Sequence, residues 1–130
     1  MFMLFRTESI EAEEGTVFDV RRALCVSENH SLLVSLAAQG NAICADGKEA
    51  ADLIGEKRRR AMAIYIQTTK KPLWEFMDHW SEISSAAALK TQKALVLFED
   101  SIDKTSSGDR CFESYHIYNA KYMVEEVTLV

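Results

Sequence analysis

Histidine and cysteine are the residues of this chain best suited to catalysis or metal binding, but their spacing matches no established motif. The histidines stand far apart in the sequence, as His30, His79 and His116. Cys111 and His116 are five residues apart, so a strand would place them on opposite faces. The motifs HExxH, GxSxG and GxGxxG and the phosphate-binding P-loop do not occur. The sequence therefore predicts no catalytic, cofactor-binding or metal-binding residue, and it favours a non-enzymatic protein.

Cysteine usage and the start of the chain bear on its compartment. Cys25, Cys44 and Cys111 are an odd number without paired spacing, which argues against a disulfide framework and a zinc site. Each has apolar neighbours and is predicted to be a reduced thiol. The apolar start, MFMLFRTES, lacks the positive charge and cleavage site of a signal peptide. We predict a cytoplasmic protein without a membrane span, and export without a cleaved signal stays open.

Positive charge is concentrated in one short part of an acidic chain. The 130 residues carry a net charge of −5, yet residues 57–71 contain six positive side chains and no acidic one. Residues 1–56 have four basic and ten acidic side chains, and residues 72–130 have five and ten. The predicted partner-binding residues are these six: Lys57, Arg58, Arg59, Arg60, Lys70 and Lys71.

Three interpretations of these positive side chains compete. The first is a solvated helix end followed by a turn, because positive charge suits the negative end of the helix dipole. The second is contact with carboxylates of a second copy or of another protein, since complementary potentials steer association. The third is a phosphate site with Tyr65 as a stacking ring, but nucleic-acid binders usually present a basic face and this chain is acidic. For self-assembly, the candidate acidic partners are Glu11, Glu13 and Glu14, or Glu125 and Glu126.

Short strands are predicted for most of the first 45 residues, from runs of apolar residues and their alternation with polar ones. The expected elements are, in order, a strand over 1–7, an acidic connector over 8–15, an alternating strand over 16–26, a polar turn over 27–30, an apolar run over 31–38, a turn over 39–41 and a short strand over 42–45. A helix is the alternative for residues 31–38, because the alternation weakens there.

Two helices are predicted in the middle of the chain. The first begins at Asp46, which forms a capping box with Glu49, and ends with the basic residues 57–60. Residues 63–67 then read as a buried strand. The second helix begins near Pro72. Its apolar residues recur at helical spacing, as Leu73, Phe76, Met77, Trp80 and Ile83. The first four are predicted to lie in the core or, partly buried, in an interface.

Strands are predicted again over residues 93–99 and over most of 110–130. The fold class is therefore α+β, as a single domain over 1–130 with two helices and a largely antiparallel sheet of six or seven strands. The order of WEFMDHW, KALVLFED, a polar loop and CFESYHIYNAKYMVEEVTLV resembles the helix, strand, loop and final hairpin of tail-tube and secreted tube proteins. That resemblance implies a ring-forming, non-catalytic subunit.

A protein-interaction or assembly subunit is the function that these observations favour. It would associate with itself or with a partner protein through complementary acidic and basic surfaces. The first alternative is a small-molecule-binding or catalytic α+β domain with a pocket beside the second helix. The second is the ring-forming, tube-like subunit of a tail or secretion apparatus. Neither a nucleic acid nor a membrane is expected as a partner.

Overall fold

Two long helices and a three-stranded sheet make up the computed structural model of this protein. The structure describes residues 1–11, 13–102 and 120–128. Its elements are, in chain order, β1 (Phe2–Glu11), β2 (Val17–Ser27), α1 (His30–Thr68), α2 (Leu73–Ile102) and β3 (Lys121–Glu126). The predicted α+β class is confirmed. The predicted sheet of six or seven strands is wrong, because the described part of the chain forms three.

The sheet is antiparallel, with β1 between β2 and β3. Gly15 supplies the positive φ of 81° that the turn between β1 and β2 requires. A bulge between Leu4 and Phe5 shifts the register of β1 against β2. The strands predicted over 1–7 and 16–26 are confirmed, although β1 also takes in the first half of the predicted acidic connector.

One uninterrupted helix, α1, replaces several predicted strands and turns. Asn29 caps it, because its side-chain oxygen accepts a hydrogen bond from the Leu32 amide at 3.1 Å. The strands predicted over 42–45 and 63–67 are wrong, and for residues 31–38 the helical alternative is correct. Asp46 lies inside α1 and does not cap it. Alanine, leucine, glutamate, lysine and arginine make up about half of this sequence, and all of them favour a helix.

Close packing explains why glycine occurs inside α1 at the predicted turn over 39–41. A Cβ atom at Gly40 would lie 2.5 Å from a ring carbon of Tyr122, and one at Gly47 would lie 2.5 Å from the Thr91 hydroxyl oxygen. Asn41 donates to the Tyr122 carbonyl at 3.0 Å and accepts from the Tyr122 amide at 2.8 Å. These residues therefore dock α1 against β3 and α2, and they do not turn the chain.

The second helix, α2, begins directly after Pro72, close to the predicted start. It also contains residues 93–99, so the strand predicted there is wrong. Leu95 and Phe98 are spaced for one side of a helix and are buried, whereas Leu97 is 71% exposed. The resemblance to tube proteins depended on that strand. The strand predicted over 110–118 lies outside the described residues.

The sheet packs against the base of the helical hairpin that α1 and α2 form. The buried residues of α1 all lie between Leu33 and Gly47, and four of the five in α2 lie between Thr91 and Glu99. At about 1.5 Å per residue the 39 residues of α1 extend for about 58 Å, against about 33 Å for the ten residues of β1. We call residues 53–83 the outer hairpin. No helix in the described ranges has an apolar stretch long enough to cross a membrane.

Candidate functional site

Four of the six predicted binding residues form one exposed turn in the middle of α1. Residues 57–60 are all exposed, and α1 continues to Thr68. The prediction that they form the last turn of a helix is therefore wrong. Successive helical residues point about 100° apart, so Lys57 and Arg60 come nearest to sharing a face. The Arg60 guanidinium donates to the Glu56 carboxylate at 3.1 Å, one turn earlier on the same helix.

The other two predicted residues, Lys70 and Lys71, lie in the connection between the helices and are exposed. They are separated from residues 57–60 by the last turns of α1, and not by a strand. About 12 Å of helix axis lies between Arg60 and Thr68. The positive side chains therefore surround the outer hairpin at two levels and do not form one flat patch.

Large apolar side chains are exposed among these charges. They are Leu53 (51% exposed), Ile64 (62%), Ile66 (64%), Leu73 (48%), Trp74 (62%) and Met77 (41%). The predicted apolar stripe of α2 is therefore buried in part: Phe76 is buried, Trp80 is half-buried, and Leu73 and Met77 are exposed. These six side chains leave large apolar areas in water along the outer hairpin, and Ile64 and Ile66 point to nearly opposite sides of α1.

An open groove lies beside α2 at the end of the outer hairpin. It has a volume of about 530 Å³ and is lined by Tyr65, Phe76, His79 and Trp80, with Lys71 and Glu75 among its polar residues. Ring centroids are 5.1 Å apart for Tyr65 and Phe76, 6.1 Å for Phe76 and Trp80, and 5.9 Å for His79 and Trp80. The Tyr65 hydroxyl donates to the Pro72 carbonyl at 3.0 Å, which ties the last turns of α1 to the residue before α2. The groove therefore presents aromatic rings, with the Glu75 carboxylate and the Lys71 ammonium group among its polar groups.

A buried polar cluster joins the sheet to α2, and the sequence analysis did not predict it. Arg6 Nε lies 3.1 Å from Glu8 Oε1, and Arg6 Nη1 donates to Glu99 Oε2. The Tyr122 hydroxyl donates to the same Glu99 oxygen at 2.7 Å. Arg6, Glu8 and Glu99 are at most 7% exposed as side chains. The signal in the sequence is that Arg6 and Glu8 follow Leu4 by two and four residues, so a strand places all three side chains on one face.

Burial in this cluster shifts two pKa values. Burial and the hydrogen bond to Glu99 raise the pKa of Tyr122 well above its ordinary value. Burial raises the pKa of the Cys44 thiol to about 11, which the positive charge of Arg6 partly opposes. Cys44 is a free, buried thiol and stays protonated near neutral pH, so it is not an activated nucleophile. Cys111 and His116 lie outside the described residues.

The outer hairpin therefore carries exposed apolar and positive side chains, and the buried polar cluster lies beside the sheet. Within the described ranges, no three histidine, cysteine or acidic side chains are grouped closely enough to hold a metal ion. No protein-family model, curated protein or solved structure matches the chain. Function therefore has to be inferred from the surface itself.

Proposed function

We propose that this protein is a non-enzymatic interaction or assembly subunit that binds another protein chain through the outer hairpin. The observation that carries the proposal is the combination of six large exposed apolar side chains with six positive ones in the segment from Leu53 to Met77. Apolar area supplies affinity and charge supplies orientation, which is the usual division in a protein interface.

The apolar side chains supply the free energy of association. Fully burying one large aliphatic or aromatic side chain is worth about 1.5–3 kcal/mol relative to leaving it exposed. Ile64, Ile66 and Trp74 are each more than 60% exposed, so most of that contribution is still unused. An interface that covers several of these residues gains enough to offset part of the cost of association.

The positive side chains orient the partner. Lys57, Arg58, Arg59, Arg60, Lys70 and Lys71 are the proposed contacts to carboxylates on the partner chain. Of the acidic residues proposed for self-assembly, Glu125 already pairs with Arg21 of its own chain at 2.8 Å. Exposed pairs contribute about 0–1 kcal/mol each, so several must act together.

Site-specific photocrosslinking in cells that make the full chain tests this proposal. A photoreactive residue is placed at Trp74, in the outer hairpin, and in a control chain at Leu97, which is 71% exposed but lies outside it. Adducts with another protein chain are expected from position 74 and not from position 97. Absence of adducts at position 74, or equal yields at the two positions, would refute the proposal.

The groove beside α2 supports a second candidate function, which is binding of a small aromatic or apolar ligand. Its volume of about 530 Å³ lies within the common range for ligand sites. A fluorescence titration of Trp80 with small aromatic carboxylates and amines tests it. Saturable quenching that Phe76→Ala removes is expected for a ligand site, and non-saturable quenching would refute one.

A further inference from the structure

One face of α1 carries acidic residues before Leu53 and basic residues at the same distances after it. Asp46, Leu53, Lys57, Arg60 and Ile64 recur at intervals of three, four or seven residues, which places them on one face of the helix. All five are exposed. Leu53 is 51% exposed and Ile64 is 62% exposed. This face differs from the one that packs on β3 through Gly40 and Asn41, because it is turned by roughly half the helix circumference.

Leu53 is the centre of the pattern. Glu49 precedes it by four residues and Lys57 follows it by four; Asp46 precedes it by seven and Arg60 follows it by seven. At about 1.5 Å per residue, each sign of charge is about 6 Å and about 10.5 Å from Leu53 along the axis, on opposite sides. A helix with this arrangement is complementary to itself when reversed.

We propose that two copies of this protein pair antiparallel through this face of α1, with the two-fold axis at Leu53. Lys57 then lies opposite Glu49 of the second copy, and Arg60 lies opposite Asp46. The symmetry makes each of these contacts twice, so four ion pairs flank a central contact between the two Leu53 side chains. This inference rests on the proposed interaction function and identifies the partner as a second copy.

The structure leaves these charges available to a second copy. Within the described part of the chain, no ion pair joins residues 46, 49, 57 or 60 to α2. Arg60 pairs with Glu56, but their side chains are 76% and 53% exposed, so water can replace that contact and Arg60 can turn to a nearby carboxylate. Ile64 would face Ala42, eleven residues to the other side of Leu53, which adds apolar contact at both ends.

Charge reversal on the full-length protein tests the pairing. An acidic variant carries Lys57→Glu and Arg60→Glu, and a basic variant carries Asp46→Lys and Glu49→Lys. Each variant alone places like charges opposite each other, so sedimentation velocity should show self-association weakened by at least about tenfold. Mixing the two variants should give a heterodimer, because every pair across the axis is again of opposite sign. The chain with all four substitutions should recover the homodimer.

A matched control separates the pattern from net charge. Lys48→Glu with Lys121→Glu changes the net charge as much as the acidic variant does, but both side chains are exposed away from this face of α1, so this control should leave self-association within about threefold of the wild type. A wild type that is monomeric at every concentration, or a dimer that both variants leave intact, overturns the pairing. In either case, photocrosslinked adducts at position 74 would still support the proposed interaction function. Their absence would refute that function as well.

Discussion

Replacing Gly40 with alanine should destabilise the protein, whereas the same replacement at Gly55 should stabilise it. Both glycines lie inside α1. The added Cβ at Gly40 would be 2.5 Å from Tyr122 Cδ2 and 2.8 Å from Cγ, so the ring itself must move. At Gly55 no heavy atom lies within 4 Å. The pair therefore isolates the docking of α1 on β3 from the helix propensity of alanine.

The expected sizes follow from three effects. Alanine is better than glycine inside a helix by about 1 kcal/mol, and this gain applies to both positions. At Gly40 it is opposed by overpacking, which costs about 1–3 kcal/mol. Displacing the Tyr122 ring also weakens its hydroxyl's bond to the Glu99 carboxylate, which is worth about 1.5–3 kcal/mol. We expect a net loss of about 2–4 kcal/mol for Gly40→Ala and a gain of about 1 kcal/mol for Gly55→Ala.

Urea unfolding followed by circular dichroism measures both free energies, with the slope of the transition as a check that the unfolded states are comparable. Tyr122→Phe in the Gly40→Ala background should cost less than in the wild type if the hydroxyl contact is already weakened. A Gly40→Ala variant that is as stable as Gly55→Ala would show that the helix and β3 are not in close contact, and would refute the docking described for α1.

Three further predictions concern the buried cluster and the outer hairpin. The free energy of unfolding should fall as pH rises from about 9 to about 11. The reason is that the pKa of the Cys44 thiol is near 9.0 in the unfolded chain and about 11 in the folded one. The fall in free energy per pH unit should be smaller in Cys44→Ser. Tyr122→Phe should lower the free energy of unfolding by about 1.5–3 kcal/mol, because the lost hydroxyl donates to a buried carboxylate. Tyr65→Phe should lower it by less than about 1 kcal/mol, because that hydroxyl donates to an exposed carbonyl. Equal losses in urea unfolding would contradict the role of Glu99. Trp80→Ala should cost about 1–3 kcal/mol, below the 3–5 kcal/mol or so of a fully buried ring, because Trp80 is half-buried; a loss under about 0.5 kcal/mol would place the ring in solvent.

The N-terminal hairpin could be predicted from the sequence because alternation is a strong signal for a strand. Residues 16–26 alternate, and β2 is observed over Val17–Ser27. The start of α2 was likewise predictable, from Pro72 and the spacing of the apolar residues that follow. In both cases the local sequence pattern favours the same secondary structure as the tertiary contacts do, so the sequence alone is enough to predict the element.

The long course of α1 could not be predicted because its signals have two physical meanings. Glycine followed by asparagine usually indicates a turn, but Gly40 and Asn41 are required by close contact with Tyr122. A run such as Ala63–Ile66 is apolar on every side, so its periodicity does not separate a buried strand from a helix. Ile64 and Ile66 are exposed and only Tyr65 of this run is partly buried, which the fold alone could reveal.

The exposure of the six proposed binding residues could be predicted from the sequence, but their arrangement in space could not. Exposure of Lys57–Arg60 follows from their charge alone. The prediction that they form a helix end was wrong, because it depended on the helix dipole and on a following strand that does not form. Because α1 continues past them, these side chains point in several directions, and only Lys57 and Arg60 align with the acids that precede Leu53.

The basic residues of α1 lie level with an acidic part of α2. Gly47 approaches Thr91, and Tyr65 contacts Phe76, so residues 57–60 of α1 are level with the part of α2 that contains Glu82. Between Pro72 and Leu89, α2 carries three acidic side chains and no lysine or arginine, whereas Lys90 and Lys93 lie level with the acidic part of α1 that begins at Asp46. Opposite charges therefore lie level with each other along the hairpin, although the described residues form no ion pair between α1 and α2. On the face of α1 that carries Leu53, the charge changes sign at Leu53, and this change of sign is the basis of the proposed antiparallel pairing of two copies.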